Sequence, residues 1–486
     1  MHTEKINNFL IFITSLYFSA LISLINENLY DLLIGLLTII FCTWIFYFSK
    51  KINTLSILTK FIFIIITLYY PFSLNFKITT PGVLTSILNT NRSEAIEFLN
   101  ILNFYDLLFY ATSFVFFIIY TVTKIKSKNK KKEILIILSL IYFYAIVDDS
   151  LSKIKNIYKT YSDYTKEINK IITSKNKKDN WEILKKTEQK DVVVVIIGES
   201  VNKNYLSIYG SEYETTPFLD KTLGTFYMNN VSPAGFTIES IPRYLAITRD
   251  NDIEYETNAV ALANKAGYKT YWISNQGYAG DYETATSLIS AKSDYVIYKN
   301  IFRHRFDYHE SHSSNDFNLL KDFNEKIKEN YKKVIFLHML GSHNDFCKRV
   351  NDYGIKYETS LGKDFNCYLS SINLLDKFIE NIYKKLKLEN QKFSIIYFSD
   401  HGLHQVKTNN QIKLFHGDRS KENFDVPLFI LRHNDNKKTF ITETISGFNF
   451  LHIFAKELGV ETRNLKVHHP IKVLSQNKFI DYDDLP

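Results

Sequence analysis

The sequence predicts a two-part chain: an N-terminal α-helical transmembrane bundle of five spans, followed by an α/β domain. Two observations predict this. Apolar residues make up 45% of the 486 residues, yet Ile, Leu, Phe and Tyr crowd the first third of the chain. Beyond it, β-branched runs alternate with amphipathic helical stretches, and several runs end at a carboxylate or an imidazole. The expected boundaries are 1–148 for the transmembrane part, 149–190 for a connecting helix and linker, and 191–486 for the α/β domain.

A spanning helix needs roughly 20 mostly apolar residues, because the hydrocarbon core is about 30 Å thick. Runs at 9–25, 32–48, 55–74, 107–122 and 134–147 meet or approach that length. The first lacks a strong small-residue cleavage site and is followed by further apolar runs, so it reads as a span rather than a removable signal. Lys5, Lys50, Lys51 and the run Lys124, Lys126, Lys128, Lys130, Lys131 and Lys132 mark inside loops. The segment 26–31 has no basic residue, and 77–103 has only Lys77 and Arg92. Alternation then places everything after Asp148 outside. The segment 77–103, with Asn89-Thr90-Asn91-Arg92-Ser93-Glu94-Ala95, fits either a short helix on the outer face or a plain linker.

Net charge is +8, part of it in the lysine run between apolar segments, which argues against a nucleic-acid partner. Cys42 falls in an apolar run and reads as packing. Cys347 and Cys367 form no CxxC motif; in an oxidising compartment they fit a disulfide or two free thiols equally well.

In the second part, the run from Asp191 through Val192-Val193-Val194-Val195-Ile196-Ile197 to Gly198-Glu199-Ser200 reads as a parallel strand buried on both faces. Further strands are expected at 269–273, 334–337 and 393–398, with helices at 316–331 and 370–387. Functional groups of such sheets gather at the carboxyl ends of the strands. Glu199, His338, and the pair Asp400 and His401 stand at three such ends.

Asp400 and His401 supply one oxygen and one nitrogen ligand, and Glu199 another oxygen. That set suits a borderline divalent cation such as zinc, ahead of manganese or magnesium. His338, His343 and His416 occupy similar apolar-to-polar junctions. The stretch Ser232-Pro233-Ala234-Gly235-Phe236-Thr237-Ile238-Glu239-Ser240-Ile241-Pro242 places Thr237 and Ser240 near the start of a helix, where anions bind. On these residues alone, an ordinary N-cap is the simpler account of Thr237.

Taken together, Ile197-Gly198-Glu199-Ser200, Tyr205-Leu206-Ser207-Ile208-Tyr209-Gly210 and Thr215-Thr216-Pro217 resemble the opening motif of the bacterial phosphoethanolamine transferases. These are membrane members of the alkaline phosphatase/sulfatase superfamily, and the resemblance covers nearly the whole chain, including the 89–95 segment. It implies an α/β sulfatase/alkaline-phosphatase-like domain in the periplasm, anchored by five spans in the inner membrane. It implies Thr237, three residues before Ser240-Ile241-Pro242, as the nucleophile. It implies Glu199, Thr237, Asp400 and His401 as ligands of one or more zinc ions, and His338, His343 and His416 as substrate or second-metal histidines. The implied reaction moves phosphoethanolamine from phosphatidylethanolamine to a lipopolysaccharide acceptor through a covalent threonine intermediate.

Three departures move the expected acceptor from lipid A toward core heptose. Pro233 and Arg243 stand where many lipid A-modifying members have cysteines. Asp400-His401-Gly402-Leu403-His404 replaces their Asp-His-Gly-Glu-Ser, and Ser274-Asn275-Gln276-Gly277 replaces their lysine-containing Asn-Asn-Ser segment. A glycerol-phosphate transferase or a phosphodiesterase of the same superfamily is the alternative, and an inactive envelope-lipid-binding membrane protein the non-enzymatic one. Sulfatase chemistry proper needs a formylglycine made from Cys or Ser, which Thr237 does not supply.

Overall fold

The structure, a computed structural model, describes residues 2–25, 32–76, 104–125, 129–147, 150–249, 252–278, 284–301, 315–408, 411–467, 471–476 and 478–486. The expectation for 77–103 lies outside the described residues. The chain divides into two compact units, and the division falls between residues 164 and 165.

In the first unit the apolar runs form helices α1 (His2–Ile25), α2 (Leu32–Ser49), α3 (Asn53–Phe76), α4 (Phe104–Val122) and α5 (Lys130–Val147). The segment Glu4–Ser23 is long and apolar enough to cross a membrane; Gly35–Ser49, Asn53–Tyr69 and Asp106–Val122 are shorter apolar helices. An apolar core of Ile11, Phe18, Leu21, Phe46, Phe63 and Tyr120 is joined by buried small hydroxyl residues, while many large apolar side chains face outward. Ser15, Ser19, Thr43, Ser56, Thr59 and Ser113 are buried, while Phe9, Leu36, Phe61, Ile65, Leu68 and Phe114 are exposed. Small hydroxyl residues let helices approach closely and satisfy themselves on the preceding turn, as Ser19 does on the Ser15 carbonyl at 2.7 Å and Thr59 on that of Leu55 at 2.9 Å. Phe18 stacks on Phe63 at 3.7 Å and the Tyr17 hydroxyl meets that of Ser113 at 2.8 Å.

The expected connecting segment is a helix, α6 (Ser150–Ser174), followed by a short strand, Ile183–Lys186, that pairs antiparallel with Val460–Thr462.

The second unit is built on one eight-stranded sheet. Its strands are β1 (Val192–Gly198), β2 (Gly224–Val231), β3 (Lys269–Tyr278), β4 (Tyr295–Ile301), β5 (Lys333–His338), β6 (Phe393–Ser399), β7 (Asp425–Arg432) and β8 (Lys438–Ser446). Their order is β8-β2-β7-β6-β1-β5-β3-β4. Every strand runs the same way except β7, which is antiparallel to both neighbours. Because β1 is buried along its whole length, its residues alternate between two cores. Val193, Val195 and Ile197 pack with helices α7 (Thr237–Leu245), α8 (Ala259–Ala266) and α10 (Phe450–Leu458) on one face. Val192, Val194 and Ile196 pack with α9 (Lys363–Leu388) on the other.

The four sequence-predicted strands are present, with β3 running on to Tyr278 rather than stopping at Ile273. The expected 316–331 helix is shorter, Leu319–Lys326, because a 3-10 turn at Asp316–Asn318 precedes it. Cys347 and Cys367 form a disulfide, and Cys42 is buried in the first unit.

Candidate active site and metal centre

The parallel register delivers the site. It sets Gly198 beside Ser399, and Ile197 between His338 and Phe398. The residues that follow, Glu199 and Asp400, therefore leave adjacent strands side by side. Ser200 then turns the chain with φ +60, an uncommon conformation for a residue with a Cβ. Its neighbours hold it there. The Ser200 N–H donates to Asp400 Oδ1 at 3.0 Å and its hydroxyl to Glu199 Oε1 at 2.8 Å. The Tyr368 hydroxyl, from α9, donates to the Ser200 carbonyl at 3.1 Å and accepts from the Asn202 N–H at 3.0 Å.

Strand β2 brings in the candidate nucleophile. Gly235 passes so close to Gly417 that an added Cβ would lie 1.8 Å from the Gly417 carbonyl oxygen. The Ser232 hydroxyl donates to the Asp400 carbonyl, and that of Ser240 does so at 2.6 Å. These contacts pin both ends of the Thr237 segment to the end of β6. The N-cap account of Thr237 does not hold. Phe236 occupies the cap position, no side chain caps the helix, and Thr237 is its first residue. Its hydroxyl instead lies 3.2 Å from Glu199 Oε2, 3.3 Å from Oε1 and 3.2 Å from His401 Nε2. Thr237 is half-buried, whereas Glu199, Asp400 and His401 are buried.

The same residues fit a metal ion. Ligand atoms of Glu199, Asp400 and His401 lie within 4.8 Å of one another. His401 Nδ1 is 2.9 Å from the Gly402 carbonyl. That oxygen can only accept, so Nδ1 carries a proton, and Nε2 points at Glu199 Oε1 at 3.3 Å and Asp400 Oδ2 at 3.6 Å, where it would offer its lone pair to a bound cation and without one carries a second proton. Asp400 Oδ2 is buried without a hydrogen-bond partner. An unsatisfied buried carboxylate oxygen is costly, and a cation at this point would satisfy it. Two carboxylates, an imidazole and a hydroxyl are ligand types that zinc accepts.

The electrostatics agree. Burial, then the Glu199 charge, pushes the Asp400 carboxyl up to about 7. Burial also opposes ionisation of Glu199, but the hydrogen bond and charge of His401 outweigh it and hold Glu199 well below the usual carboxylate range. Burial lowers His401, but the Asp400 and Glu199 charges outweigh it and raise the imidazole to about 9. In the metal-free chain an imidazolium thus offsets carboxylate charge that a divalent cation would neutralise more fully.

The remaining sequence-predicted histidines stand around this centre. His338 ends β5, buried, with Nδ1 3.4 Å from the Ser274 hydroxyl and Nε2 without a hydrogen-bond partner. Burial lowers its pKa to about 4. His343 lies in the following loop, and its charge acts on Glu199. The His416 ring is 6.2 Å from that of His401 and 5.6 Å from that of Phe236. Burial, then the His401 charge, lowers it to about 3. His404 opens a β-hairpin, its ring 5.7 Å from that of Phe415. Sequence reasoning gave no role to Ser200, Ser232 or Tyr368, and noted Gln276 only as a departure. Gln276 Nε2 donates to the Met339 carbonyl at 2.8 Å and to Glu199 Oε2 at 3.4 Å. Ser200 and Ser232 sit beside the recognised motifs, but only tertiary contact reveals their targets. Tyr368, far along the chain, gave no local signal at all.

Residues 191–460 match the Sulfatase family. The phosphoethanolamine transferase OpgE of Escherichia coli (strain K12) is 26% identical over 428 residues, 83% of this chain and 80% of the relative. Among solved structures, the integral membrane lipooligosaccharide phosphoethanolamine transferase A (EptA) of Neisseria meningitidis shares the fold with a TM-score of 0.66. That likeness covers 94% of this chain and 96% of the other at 15% identity. The C-terminal periplasmic domain of EptC from Escherichia coli, in complex with zinc, has a TM-score of 0.53 over 63% of this chain and 96% of its own, at 23% identity. The chain belongs to the Sulfatase family, and relatives matching most of its length are named phosphoethanolamine transferases.

Proposed function

We propose that this protein transfers phosphoethanolamine from phosphatidylethanolamine to a lipopolysaccharide acceptor, with core heptose favoured over lipid A, through a covalent intermediate on Thr237. The observation that carries this reading is the hydroxyl of part-buried Thr237, within 3.3 Å of both Glu199 and His401. A hydroxyl so placed is an activated nucleophile rather than a helix cap.

Glu199, Thr237, Asp400 and His401 would hold the zinc, which when bound lowers the pKa of the hydroxyl and offsets charge on the phosphoryl oxygens. The Thr237 hydroxyl donates to Glu199 Oε2 at 3.2 Å, which holds its oxygen in place; Glu199 is too weak a base to take the proton, which the zinc-lowered pKa would release to solvent. The threonine oxygen forms a bond to phosphorus as the bond from phosphorus to the glycerol oxygen breaks. Diacylglycerol leaves with that electron pair and takes up a proton. The acceptor hydroxyl then displaces Thr237 from phosphorus by the reverse chemistry. His338 and His416, held neutral by burial, suit hydrogen bonds to phosphoryl oxygens or a second metal ion, and His343 borders the same centre.

Both substrates are lipids, so the reading requires a bilayer. The first unit supports it: large apolar side chains face outward in numbers that water would penalise. We place it in the inner membrane as five spans, with 191–486 in the periplasm. The Cys347–Cys367 disulfide fits that oxidising compartment. Mass spectrometry of lipopolysaccharide from cells with and without this gene, fragmenting lipid A and core separately, tests the reading. It predicts loss of phosphoethanolamine from the core fragment. Unchanged phosphoethanolamine in both fragments contradicts it.

A further inference from the structure

The loop after β5, residues 339–344, links His338 to His343 and packs against Glu199. The backbone N–H groups of residues 339–343 all have partners. Met339 N–H donates to the Ile197 carbonyl at 3.0 Å, Ser342 N–H to the Glu199 carbonyl at 3.0 Å, and His343 N–H to the Leu340 carbonyl at 3.2 Å. The two between go to one side chain. Leu340 N–H donates to Asp316 Oδ1 and Gly341 N–H to Asp316 Oδ2, each at 2.8 Å. Asn275 Nδ2 also donates to Asp316 Oδ1 at 2.8 Å, tying in the segment that carries Gln276. From the other side, Arg349 Nε and Nη2 donate to the His343 and Asn344 carbonyls at 3.3 and 3.1 Å.

The loop bears directly on Glu199. Gly341 has φ +52, and a Cβ there would lie 2.9 Å from both the N and the O of Glu199. A small shift of Gly341 therefore moves the Glu199 backbone. Asp316 belongs to neither strand end of the metal centre. Its three hydrogen bonds join the C-terminal part of β3, at Asn275, to the loop that follows β5, and nothing in the reaction itself uses it.

We propose that Asp316 is a positioning residue of the active centre, fixing residues 339–341 so that Glu199 keeps the orientation a metal ion requires. This rests on the metal-centre reading above. Charge-assisted bonds to two successive amides are strong and geometrically demanding. Asp316→Asn turns one acceptor into a donor that faces an N–H, so the clamp opens without a change of size.

The test is zinc affinity of the full chain in detergent, measured with zinc alone against a chromophoric chelator. Loss of supporting contacts around ligands typically costs about 10–100-fold in metal affinity. D316N is expected to bind zinc about 10–100-fold more weakly, and in the transfer assay to lose kcat rather than gain KM. D316N affinity within about twofold of wild type overturns the positioning role. If D316N does not fold, Gly341→Ala takes its place. It perturbs the same contact with Asp316 intact and is expected to weaken zinc binding by a similar factor; unchanged affinity overturns the coupling. A wild-type chain that binds no zinc contradicts the metal centre itself, and the role of Asp316 with it.

Discussion

Strand β6 carries a buried ionic cluster at each end. At its start, the Ser394 hydroxyl donates to Glu457 Oε2 at 2.7 Å, and Arg432 grips the same carboxylate with Nη2 at 2.7 Å and Nε at 3.1 Å. Arg432 also donates to the Thr225 hydroxyl at 3.0 Å. At the other end Asp400 adjoins Glu199 and His401, with one carboxylate oxygen lacking a hydrogen bond and the hydroxyl of part-buried Thr237 beside them. The first cluster is satisfied by the chain and belongs to the fold. The second is satisfied only in part, and its shortfall is positive charge. A buried group left wanting a cation is the physical mark of a site.

Thr237→Ala sharpens this contrast most. It should reduce transfer by about 10⁴-fold or more, the scale of losing a covalent nucleophile. Because Thr237 is only part-buried and its loss removes a single hydroxyl and methyl, thermal melting should change by less than about 1 kcal/mol. Glu457→Gln should do the reverse. Glu457 is one of two carboxylates on Arg432, and Asp435 stays 3.6 Å from Nη1, so the loss should cost about 1–3 kcal/mol, read by denaturant unfolding, while the kcat of the folded fraction stays near wild type. Loss of transfer without loss of stability in E457Q would break the division between the two ends.

The sequence made one cluster legible and not the other. Glu199, Asp400 and His401 each follow a β-branched run, and parallel strands deposit their following residues at one edge, so the meeting of these three was predictable from pattern. Arg432 and Glu457 lie on β7 and α10, elements that local pattern did not reveal. Strand β7 runs antiparallel between β2 and β6, a placement settled by tertiary pairing alone. Thr237 was ambiguous for a different reason. A threonine at a helix start looks the same whether its hydroxyl faces the backbone or a carboxylate, and the packing of Gly235 on Gly417 decides which. The pairing of Cys347 with Cys367 was likewise open until the two helices that carry them were placed.

Two smaller effects refine the picture. Replacing Cys347 and Cys367 with serine should cost about 3 kcal/mol, the loop-closure value for a cross-link of this span, measured by denaturant unfolding. Zinc bound at the Asp400 end should add a comparable amount, with or without the disulfide. At about 100 times its Kd, a ligand of the folded state alone adds about 2.7 kcal/mol, and chelation should remove it.

The smallest effect concerns Asp376 on α9, whose carboxylate accepts from the Phe218 and Leu219 N–H groups at 2.8 and 3.1 Å. Burial pushes it up to about 7 despite those bonds. The folded pKa thus lies above the unfolded value of about 3.9. Its contribution to stability is complete below about 3.9 and is lost as pH rises through about 7. Melting between pH 5 and pH 8 should fall more steeply for wild type than for Asp376→Asn; equal slopes would remove Asp376 from the account.

The covalent intermediate is the claim on which the functional reading turns. Incubating the full chain with phosphatidylethanolamine and no acceptor, then quenching in acid and mapping peptides by tandem mass spectrometry, reads it directly. The account predicts one phosphoethanolamine group on Thr237 and none in T237A. An unmodified Thr237 peptide while diacylglycerol is released, or the group on another residue, would contradict it.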